Sequence, residues 1–551
     1  MRHLRRLIHC LALGAFSGAA VAPMQLLLWP EVRPALMTCA LAFLAWASWG
    51  ALWFGVLGFL VVEVVALSAP FLAAQRGISI GLWRWLAFVH GAVLASIAWA
   101  NQERTAQLLL REHRDGLKTI AIVTSLFAIV TLLMVVRRAP RRRPVVWLGG
   151  ASLAVLVALW AVWATSPRIQ TGEGAEPPLR FATNRRLLLV SWEGADLPWL
   201  LPAMERGDMP FLRSHRDSGA WGQVTAVRPF SRSTALATLA TGCNAAVHGV
   251  YGRRAYRLPW LSQTPLTLPL AGPWPTPHVL PWRAWERAVA PPPRRATLWE
   301  ILERAGRPVG LAGWPGVPRA TWTIPPPLAA EAMPFDNLDR ELRAAIEPSL
   351  AEQPSLAGPT RDAIAVAAQV MAATALRQAR QPVDCLFVNT DLVRRLRPMW
   401  TRTEGEAGEE EVLRNAARLL DEQLRELWLM AGGDDCLLVV VSPYGMAPPK
   451  PWRRLLNAVA RRQARAVSSD NSPEGFVLFS GPGVRKAVRL HFARLTDIAA
   501  TCLYLLELPV ARDMAGKVLL DAVDDEYAAH VPLRLIPSYP PGDYLRRVGP
   551  L

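Results

Sequence analysis

The chain has 551 residues, of which 52% are hydrophobic, and a formal net charge of +17 at pH 7. It is long enough to bury a sizeable core and is more apolar than an ordinary soluble enzyme. The positive charge does not indicate a nucleic-acid-binding protein, because the arginines are scattered or lie at the ends of apolar segments, where membrane topology and anionic lipid account for them. The six cysteines lack the spacing of a zinc site or a disulfide framework, which favours buried free thiols.

Apolar segments of membrane-spanning length fill the first part of the chain, and short charged or Pro/Gly breaks separate them. The second segment is either one long tilted helix or a span with a re-entrant turn near residues 50–55, so the count is five or six spans. The first segment also fits a secretory signal peptide, but the apolar sequence that continues beyond Pro23 favours a span. The segments are Leu7–Trp29, Pro34–Ala73, Leu82–Ala100, Thr119–Val136 and Val145–Thr165.

The orientation of these spans follows from the basic loop at 137–143, which contains five arginines. The positive-inside rule places this loop and the N-terminus in the cytoplasm. Residues after Ser166 are then expected on the periplasmic side of a bacterial-type, multi-pass inner membrane. Glu63 lies deep in an apolar run and is therefore a functional candidate, although an interfacial or bundle-facing glutamate also explains it.

A polar linker at 167–185 leads to the apolar run Leu187–Val190, which predicts a buried parallel strand. This strand delivers Glu193-Gly194 to the carboxyl edge of a sheet, where open α/β folds place their chemistry. Hydroxyls and small residues from Ser231 to Gly242 predict a loop that runs into a helix N-terminus near Thr241, where backbone N–H groups favour an anion. Together these stretches indicate a phosphate or sulfate site.

The rest of the chain alternates helices and strands. Helical patterns at Ala363–Gln378 and Glu409–Met430 alternate with apolar strands at Val383–Val388, Cys436–Val441 and Phe476–Phe479. This alternation predicts a mostly parallel sheet that is covered on both faces. The predicted domains are a membrane region at 1–166, the linker at 167–185, an α/β domain at 186–525 with a Pro- and Trp-rich cap at 251–360, and a tail at 526–551.

The order Glu193-Gly194, Ser231, Thr241-Gly242 and His248-Gly249 resembles the type I phosphodiesterase/nucleotide pyrophosphatase branch of the alkaline phosphatase superfamily. The stretches LWEILERAG and DIAAT also have close counterparts in that family. The resemblance implies an alkaline-phosphatase-like α/β fold, two bound metal ions, usually zinc, and a Thr or Ser nucleophile. It says nothing about the membrane region.

The chain departs from the family at most of the site positions that the resemblance implies. Ser231 matches the nucleophile if one extra residue is allowed, whereas Arg232 matches it without a gap. Most imidazole and aspartate ligands are replaced, so no metal is expected, and the replacements supply cations that favour an anion. The degenerate metal positions are Glu193, Asp391, Arg395, Pro443, Tyr444 and Asn471, and the anion-binding candidates are Arg232, Arg395 and Thr241.

Three functions remain open at this level. The first is a membrane-anchored pseudoenzyme that binds an anionic envelope ligand or a membrane protein partner, with membrane lipid and a phosphorylated lipid or glycan headgroup as expected partners and no nucleic acid. The second is an active phosphodiesterase or headgroup transferase that uses Ser231 with zinc or another divalent metal. In the third, the membrane bundle with Glu63 is the working part and the outer domain is a docking surface.

Overall fold

The structure is a computed structural model, and it describes residues 2–27, 43–44, 46–48, 50–68, 75–105, 111–136, 144–165, 183–228, 230–250, 254–257, 286–289, 293–314, 320–324, 359–397, 406–448 and 473–539. The chain divides into two compact units. One comprises Met1–Thr171 with Arg254–Ala290, and the other comprises Gly172–Arg253 with Pro291–Leu551.

In its described residues, the first unit consists of helices and one short antiparallel pair of strands, β3 and β4. Of the helices that the structure describes, two are long and apolar enough to cross a membrane, within Arg6–Pro23 and His113–Val136, and shorter apolar helices lie at Trp85–Trp99 and Gly150–Thr165. The five- or six-span count therefore stays a prediction. The elements are α1 Arg2–Leu27, a π-helix Ala51–Gly55, α2 Val56–Ser68, α3 Gln75–Thr105, α4 Arg111–Val136, α5 Pro144–Thr165, β3 Arg254–Arg257 and β4 Glu286–Val289.

Helix α1 packs backbone to backbone against the segment that contains the π-helix. A Cβ atom on Gly18 would lie 1.8 Å from the carbonyl oxygen of Trp46, and one on Gly50 would lie 2.2 Å from that of Gly14. Small residues permit this close approach, as they do between helices in bilayers. Residues 50–68 are helical throughout, so a π-helix, and not a re-entrant turn, occupies residues 51–55.

The second unit is built on an eight-stranded sheet with the order β10-β2-β9-β8-β1-β7-β5-β6. Strand β9 pairs antiparallel with β2 and β8, and the other neighbours are parallel, which confirms the predicted mostly parallel sheet. The strands are β1 Arg186–Trp192, β2 Ala220–Thr225, β5 Val309–Ala312, β6 Trp322–Ile324, β7 Cys385–Thr390, β8 Cys436–Ser442, β9 Gly475–Ser480 and β10 Val488–Arg494, with a separate pair β11 Val510–Ala511 and β12 Leu535–Ile536.

Helices pack on this sheet through apolar stripes. In α13, Leu420, Leu424 and Leu427 are buried against strand residues such as Leu188 and Val440. The helices of this unit are α6 Leu197–Glu205, α7 Pro210–Ser218, α8 Arg232–Thr241, α9 Ala245–His248, α10 Leu298–Arg304, α11 Pro359–Arg380, α12 Leu392–Leu396, α13 Glu406–Ala431, α14 Leu495–Leu505 and α15 Asp525–His530.

One local expectation is wrong. The stretch from Ser231 to Gly242 is not a loop before a helix but is α8 itself. Ser231 is its N-cap, and Gly242 ends it in the left-handed conformation at φ 65°. The alanine- and leucine-rich sequence between them favours a helix, and glycine adopts the left-handed cap without steric strain. Thr241 therefore lies at the carboxyl end, where its hydroxyl donates to the carbonyl of Ala237, and its proposed anion contact loses its basis.

Candidate functional site

The candidate site lies at the carboxyl ends of the three central strands β7, β1 and β8. Glu193 directly follows β1, and its backbone N–H donates to the carbonyl of Thr390 at the end of β7. The next residue, Gly194, donates to the carbonyl of Tyr444 just beyond β8. Gly194 has φ 86°, and a Cβ atom there would lie 3.1 Å from the backbone of Arg394. Glycine thus lets the chain turn tightly and leaves the Glu193 side chain fully buried.

Four hydrogen bonds saturate the carboxylate of Glu193. Arg232 binds it in a bidentate manner, with Nε donating to Oε2 and Nη2 donating to Oε1, each at 2.6 Å. The Tyr444 hydroxyl donates to Oε2 at 2.5 Å, and Asn389 Nδ2 donates to Oε1 at 2.8 Å. Each oxygen therefore accepts two hydrogen bonds, which is the arrangement that a buried charge requires.

A second carboxylate, Asp391, lies at the start of α12 and is held by arginines. Arg395 Nε donates to its Oδ1 at 2.7 Å, and Arg394 Nη2 donates to its Oδ2. Arg232 Nη2 lies 3.6 Å from Asp391 Oδ2, and Arg394 Nε lies 3.7 Å from Glu193 Oε2. Arg232 and Arg394 thus link the two carboxylates, and these five side chains form the arginine cluster.

Burial and the neighbouring charges shift the pKa values of several groups in and around the arginine cluster. Burial alone would raise the pKa of Asp391, but Arg394, Arg395 and Arg232 outweigh burial and hold it below its usual value. Burial opposes the charge on Arg232 as well, and the Glu193 carboxylate overcomes it and raises the pKa of that guanidinium. Burial and Glu193 together raise the pKa of Tyr444 well above its usual value, so its hydroxyl remains a donor. Three guanidinium cations face two carboxylates, which leaves the cluster with a net charge of +1.

A further ion pair extends the network. Arg397 Nη1 donates to Asp196 Oδ2 and to the carbonyl of Gly194, both at 2.9 Å. Asp196 also accepts the backbone N–H of Met446 and caps α6 through Trp199. This pair fixes the loops that follow β1 and β8, and so positions Glu193 and Tyr444.

Several predicted site residues meet in space and others do not. Glu193, Arg232, Asp391, Arg395 and Tyr444 converge. Ser231 caps α8 through its hydroxyl, which accepts from the Thr234 N–H at 3.4 Å, and Pro443 precedes Tyr444 in the loop after β8. Asn471 lies outside the described residues. Thr241 lies roughly 14 Å further along the axis of α8 than Arg232.

Sequence reasoning missed two members of the site, Asn389 and Arg394. Asn389 lies two residues before Asp391, at the end of a strand that was correctly predicted. Its position beside Asp391 at the carboxyl edge of the sheet could therefore have indicated a site residue. Arg394 lies three residues after Asp391, the spacing at which side chains on one helix meet. It was missed because the family resemblance pointed only to Arg395, the fourth residue after Asp391.

The described residues do not fit the metal ions that the family resemblance implies. Both oxygens of Glu193 accept hydrogen bonds from Arg232 and its neighbours, and the oxygens of Asp391 accept hydrogen bonds from arginines. Tyr444 and Arg395 occupy positions where the family resemblance implies metal ligands. Both present hydrogen-bond donor groups, whereas zinc needs ligand atoms with a free electron pair. Within the part of the chain that the structure describes, no group of three or more His, Cys, Asp or Glu side chains could hold a metal ion.

In the helical unit, Glu63 pairs with groups near the start of α1. Its Oε2 lies 2.9 Å from His3 Nδ1, and Arg6 Nη1 donates to its Oε1 at 3.3 Å. These contacts are compatible with the interfacial interpretation of Glu63. A role for Glu63 in function stays a prediction.

Comparison with protein families assigns the domain that contains the arginine cluster. The model for "Type I phosphodiesterase / nucleotide pyrophosphatase" matches residues 187–489, which is more than half of the chain. The chain therefore belongs to this family, and its second unit is an alkaline-phosphatase-like α/β domain with a mostly parallel sheet.

Two solved structures that resemble this chain have low sequence identity to it. Murine ectonucleotide pyrophosphatase/phosphodiesterase 5 is 14% identical, with 62% of this chain and 100% of that chain covered and a TM-score of 0.38. A phosphonate monoester hydrolase from Silicibacter pomeroyi is 12% identical, with 61% and 76% covered and a TM-score of 0.34. A search of curated proteins found no match.

Proposed function

We propose that this chain is a membrane-anchored, non-hydrolytic member of the type I phosphodiesterase family that binds a phosphate- or sulfate-bearing ligand at its arginine cluster. One observation carries the proposal, namely the bidentate pair between Arg232 and the fully buried Glu193. In this pair a fixed guanidinium neutralises the carboxylate that the family resemblance assigns to a metal ion.

Hydrolysis is disfavoured by the chemistry of the groups that are present. A metal-dependent family member uses its ions to lower the pKa of the nucleophile and to neutralise charge on the phosphoryl group. Arginine can supply the second effect, but it has no vacant orbital to activate Ser231 as a Lewis acid does. The Ser231 hydroxyl accepts from the Thr234 N–H as a helix cap, and no base is assigned to it.

Anion binding is favoured by charge and by donors left over in the cluster. A guanidinium has five N–H donors. The hydrogen bonds to Glu193 and Asp391 use two donors of Arg232 and one each of Arg394 and Arg395. The side chains of Arg232 and Arg394 are 32% and 31% exposed, so both reach solvent. Arginine binds tetrahedral oxyanions well, because its planar fork presents parallel N–H groups.

The proposed setting is the periplasmic side of a bacterial-type inner membrane, with a lipid or glycan headgroup of the envelope as the ligand. Two helices long and apolar enough to cross a bilayer and the arginine-rich loop at 137–143 support a multi-pass anchor with the outer domain beyond the last span. A membrane protein partner that presents a phosphorylated or sulfated group is compatible with the same site.

Thermal unfolding of the full chain in detergent tests the proposal. Inorganic phosphate or sulfate should raise the melting temperature above that in chloride of equal ionic strength, and Arg394→Ala should abolish the rise. Arg418→Ala is the matched control, because Arg418 pairs with Asp208 away from the cluster, and it should retain the rise. No difference between phosphate and chloride would refute anion binding.

A second assay addresses hydrolysis. The full chain is incubated with bis(4-nitrophenyl) phosphate and added zinc or manganese, and we expect no turnover above buffer. Turnover that Ser231→Ala removes would establish the active phosphodiesterase instead. Turnover that persists in that variant indicates a contaminating enzyme, and the assay is then repeated on a preparation free of it.

A further inference from the structure

Phe492 is the most exposed of the large hydrophobic side chains that the structure describes, at 91%. It lies on β10, the edge strand of the main sheet. We propose that Phe492 and the basic residues around it form a docking surface for an anionic lipid bilayer. This inference rests on the membrane anchoring in the proposed function, and it does not depend on the arginine cluster.

The backbone of β10 presents Phe492 to solvent. Leu490 pairs with Gly222 of β2, but the next paired residues are Ala493 and Val224, so β10 has one extra residue between the two pairs. This is a β-bulge, which re-aims the side chains at its position. Leu490 and Ala493 remain buried, whereas His491 and Phe492 are both exposed. The bulge also twists the sheet edge, which disfavours pairing with another strand.

Aromatic and basic side chains lie close to Phe492 along β10 and on the facing strand β2. Trp221 on β2 is partly buried, and the guanidinium carbon of Arg489 lies 5.4 Å from the centre of its ring system. His491 and Arg494 are exposed on either side of Phe492 and Ala493. The edge-strand patch is defined as Trp221, Arg489, His491, Phe492 and Arg494.

This composition matches a bilayer surface better than a protein partner. None of the five residues is acidic, so the patch complements anionic headgroups. Aromatic rings and arginine stems are also the side chains that insert at the boundary between headgroups and acyl chains. Phe492 is the large exposed hydrophobic residue of the described part of β10, and a single exposed aromatic ring suits insertion at a bilayer surface.

Because the domain is linked to the membrane anchor, a weak contact with the bilayer is enough to hold the patch there. In the proposed multi-pass arrangement the last span ends at Thr165, and the outer domain begins at Thr183. The intervening chain reaches at most about 60 Å when fully extended, at roughly 3.5 Å per residue. A tether of this length limits how far the domain can move from the bilayer, and so raises the effective concentration for a low-affinity contact.

Site-specific fluorescence tests the proposal on the full chain in nanodiscs. Phe492→Cys carries an NBD label in a background with Cys39→Ser, since Cys10, Cys243, Cys385, Cys436 and Cys502 are buried. The control label is at Leu429→Cys, because Leu429 is also an exposed apolar residue at 57% but lies on α13. Doxyl-labelled lipid reports on contact with the acyl chains.

In nanodiscs with phosphatidylglycerol we expect the label at 492 to shift to the blue and to be quenched by doxyl lipid, and the label at 429 to do neither. High salt or Arg489→Glu with Arg494→Glu should reduce both effects at 492. Equal emission at 492 in anionic nanodiscs, in neutral nanodiscs and in detergent would overturn the proposal. A blue shift in detergent that grows with protein concentration would also overturn it, in favour of a second copy of the chain.

The readouts separate this proposal from the proposed function. Failure of the chain to co-elute with nanodiscs would show that the anchor itself is wrong. Loss of the phosphate-dependent rise in melting temperature would concern the arginine cluster alone, and the label at 492 would be unaffected.

Discussion

Two polar sites of opposite chemistry adjoin α8, one at its amino end and one nearer its carboxyl end. At the amino end, Arg232 joins a network of three cations and two anions, in which every bond to Glu193 or Asp391 is charge-assisted. Further along, Thr238 contacts His248, which is fully buried and lies 3.1 Å from the hydroxyl through Nε2. The Val250 N–H donates to the other ring nitrogen, Nδ1, at 3.1 Å.

The two sites are destabilised by different changes. Because Val250 donates to Nδ1, the neutral His248 ring must carry its proton on Nε2, and a second proton would place two N–H groups against each other. Burial disfavours the charged ring and lowers the pKa of His248 to about 3. The arginine cluster depends instead on matched charges, so removing one partner leaves an uncompensated ion. Protonation weakens the histidine site, whereas substitution of one ion weakens the arginine cluster.

The largest effect is expected for Arg232→Ala. Removing one partner of a buried ion pair costs about 3–5 kcal/mol, because the remaining charge stays desolvated. Tyr444, Asn389 and Arg394 remain near Glu193, so the loss of unfolding free energy should fall at the lower end. Thermal or denaturant unfolding of the full chain measures it.

A double variant checks the cause of that loss. Glu193→Leu combined with Arg232→Leu should recover part of the stability, because no buried charge is then left without its partner. An Arg232→Ala melting curve that matches the unsubstituted chain would contradict the buried ion pair.

The next effect is a pH dependence that belongs to His248. The folded pKa lies below the unfolded value of about 6.5, so the unfolded chain binds the proton first. The stabilisation is therefore complete above about pH 6.5 and is lost as the pH falls towards 3, by about 1.4 kcal/mol per pH unit. His248→Gln should reduce the slope of unfolding free energy against pH between 6.5 and 4.5, and part of the remaining slope is due to His215, whose pKa burial also lowers. His530→Gln, at an exposed position, should leave it unchanged.

Asp391→Asn sharpens the comparison, because it should affect stability and ligand binding in opposite directions. Asp391 has a lowered pKa, so its contribution is complete above the unfolded value of about 3.9 and is lost as the pH falls below it. At neutral pH the variant should lose about 1–3 kcal/mol of unfolding free energy, since hydrogen bonds to a charged group are removed. It also frees donors on Arg394 and Arg395, so the rise in melting temperature with phosphate should increase. A smaller rise would mean that Asp391 orients these arginines for the ligand.

The sheet and one carboxylate of the site were predictable, because their signals are local. The apolar run before Glu193 specifies a strand that is buried on both faces, and a carboxylate that follows such a strand reaches the sheet edge. The amphipathic pattern of Glu409–Met430 likewise predicted α13 within three residues at its start and one at its end. Strand β10, which lies at one edge of the sheet, and its neighbour β2 were missed, because β2 is interrupted by Gly222 and β10 contains a bulge.

The partners of Glu193 were harder to predict, because they depend on distances between separate elements. The sequence identified Tyr444 as the residue at the position of a lost metal ligand, but only the structure shows that its hydroxyl donates to Glu193. Arg232 and Ser231 were alternatives for one position, and the structure separates them: the serine caps α8 and the arginine enters the cluster. Hydroxyls at Ser231, Ser233 and Thr234 can each begin a helix, so the sequence alone left its start open.

The smallest effect is expected for Ser231→Ala, which tests the capping role directly. Loss of an N-cap hydroxyl costs about 0.5–2 kcal/mol, and the long 3.4 Å bond to the Thr234 N–H favours the lower end. The phosphate-dependent rise in melting temperature should be retained, since the arginines that carry the positive charge remain. Ser231→Asn should restore most of the stability, because asparagine caps helices equally well. If Ser231→Ala instead abolished the phosphate response without loss of stability, the hydroxyl would belong to the ligand site and the two ends of α8 would differ less than their charges suggest.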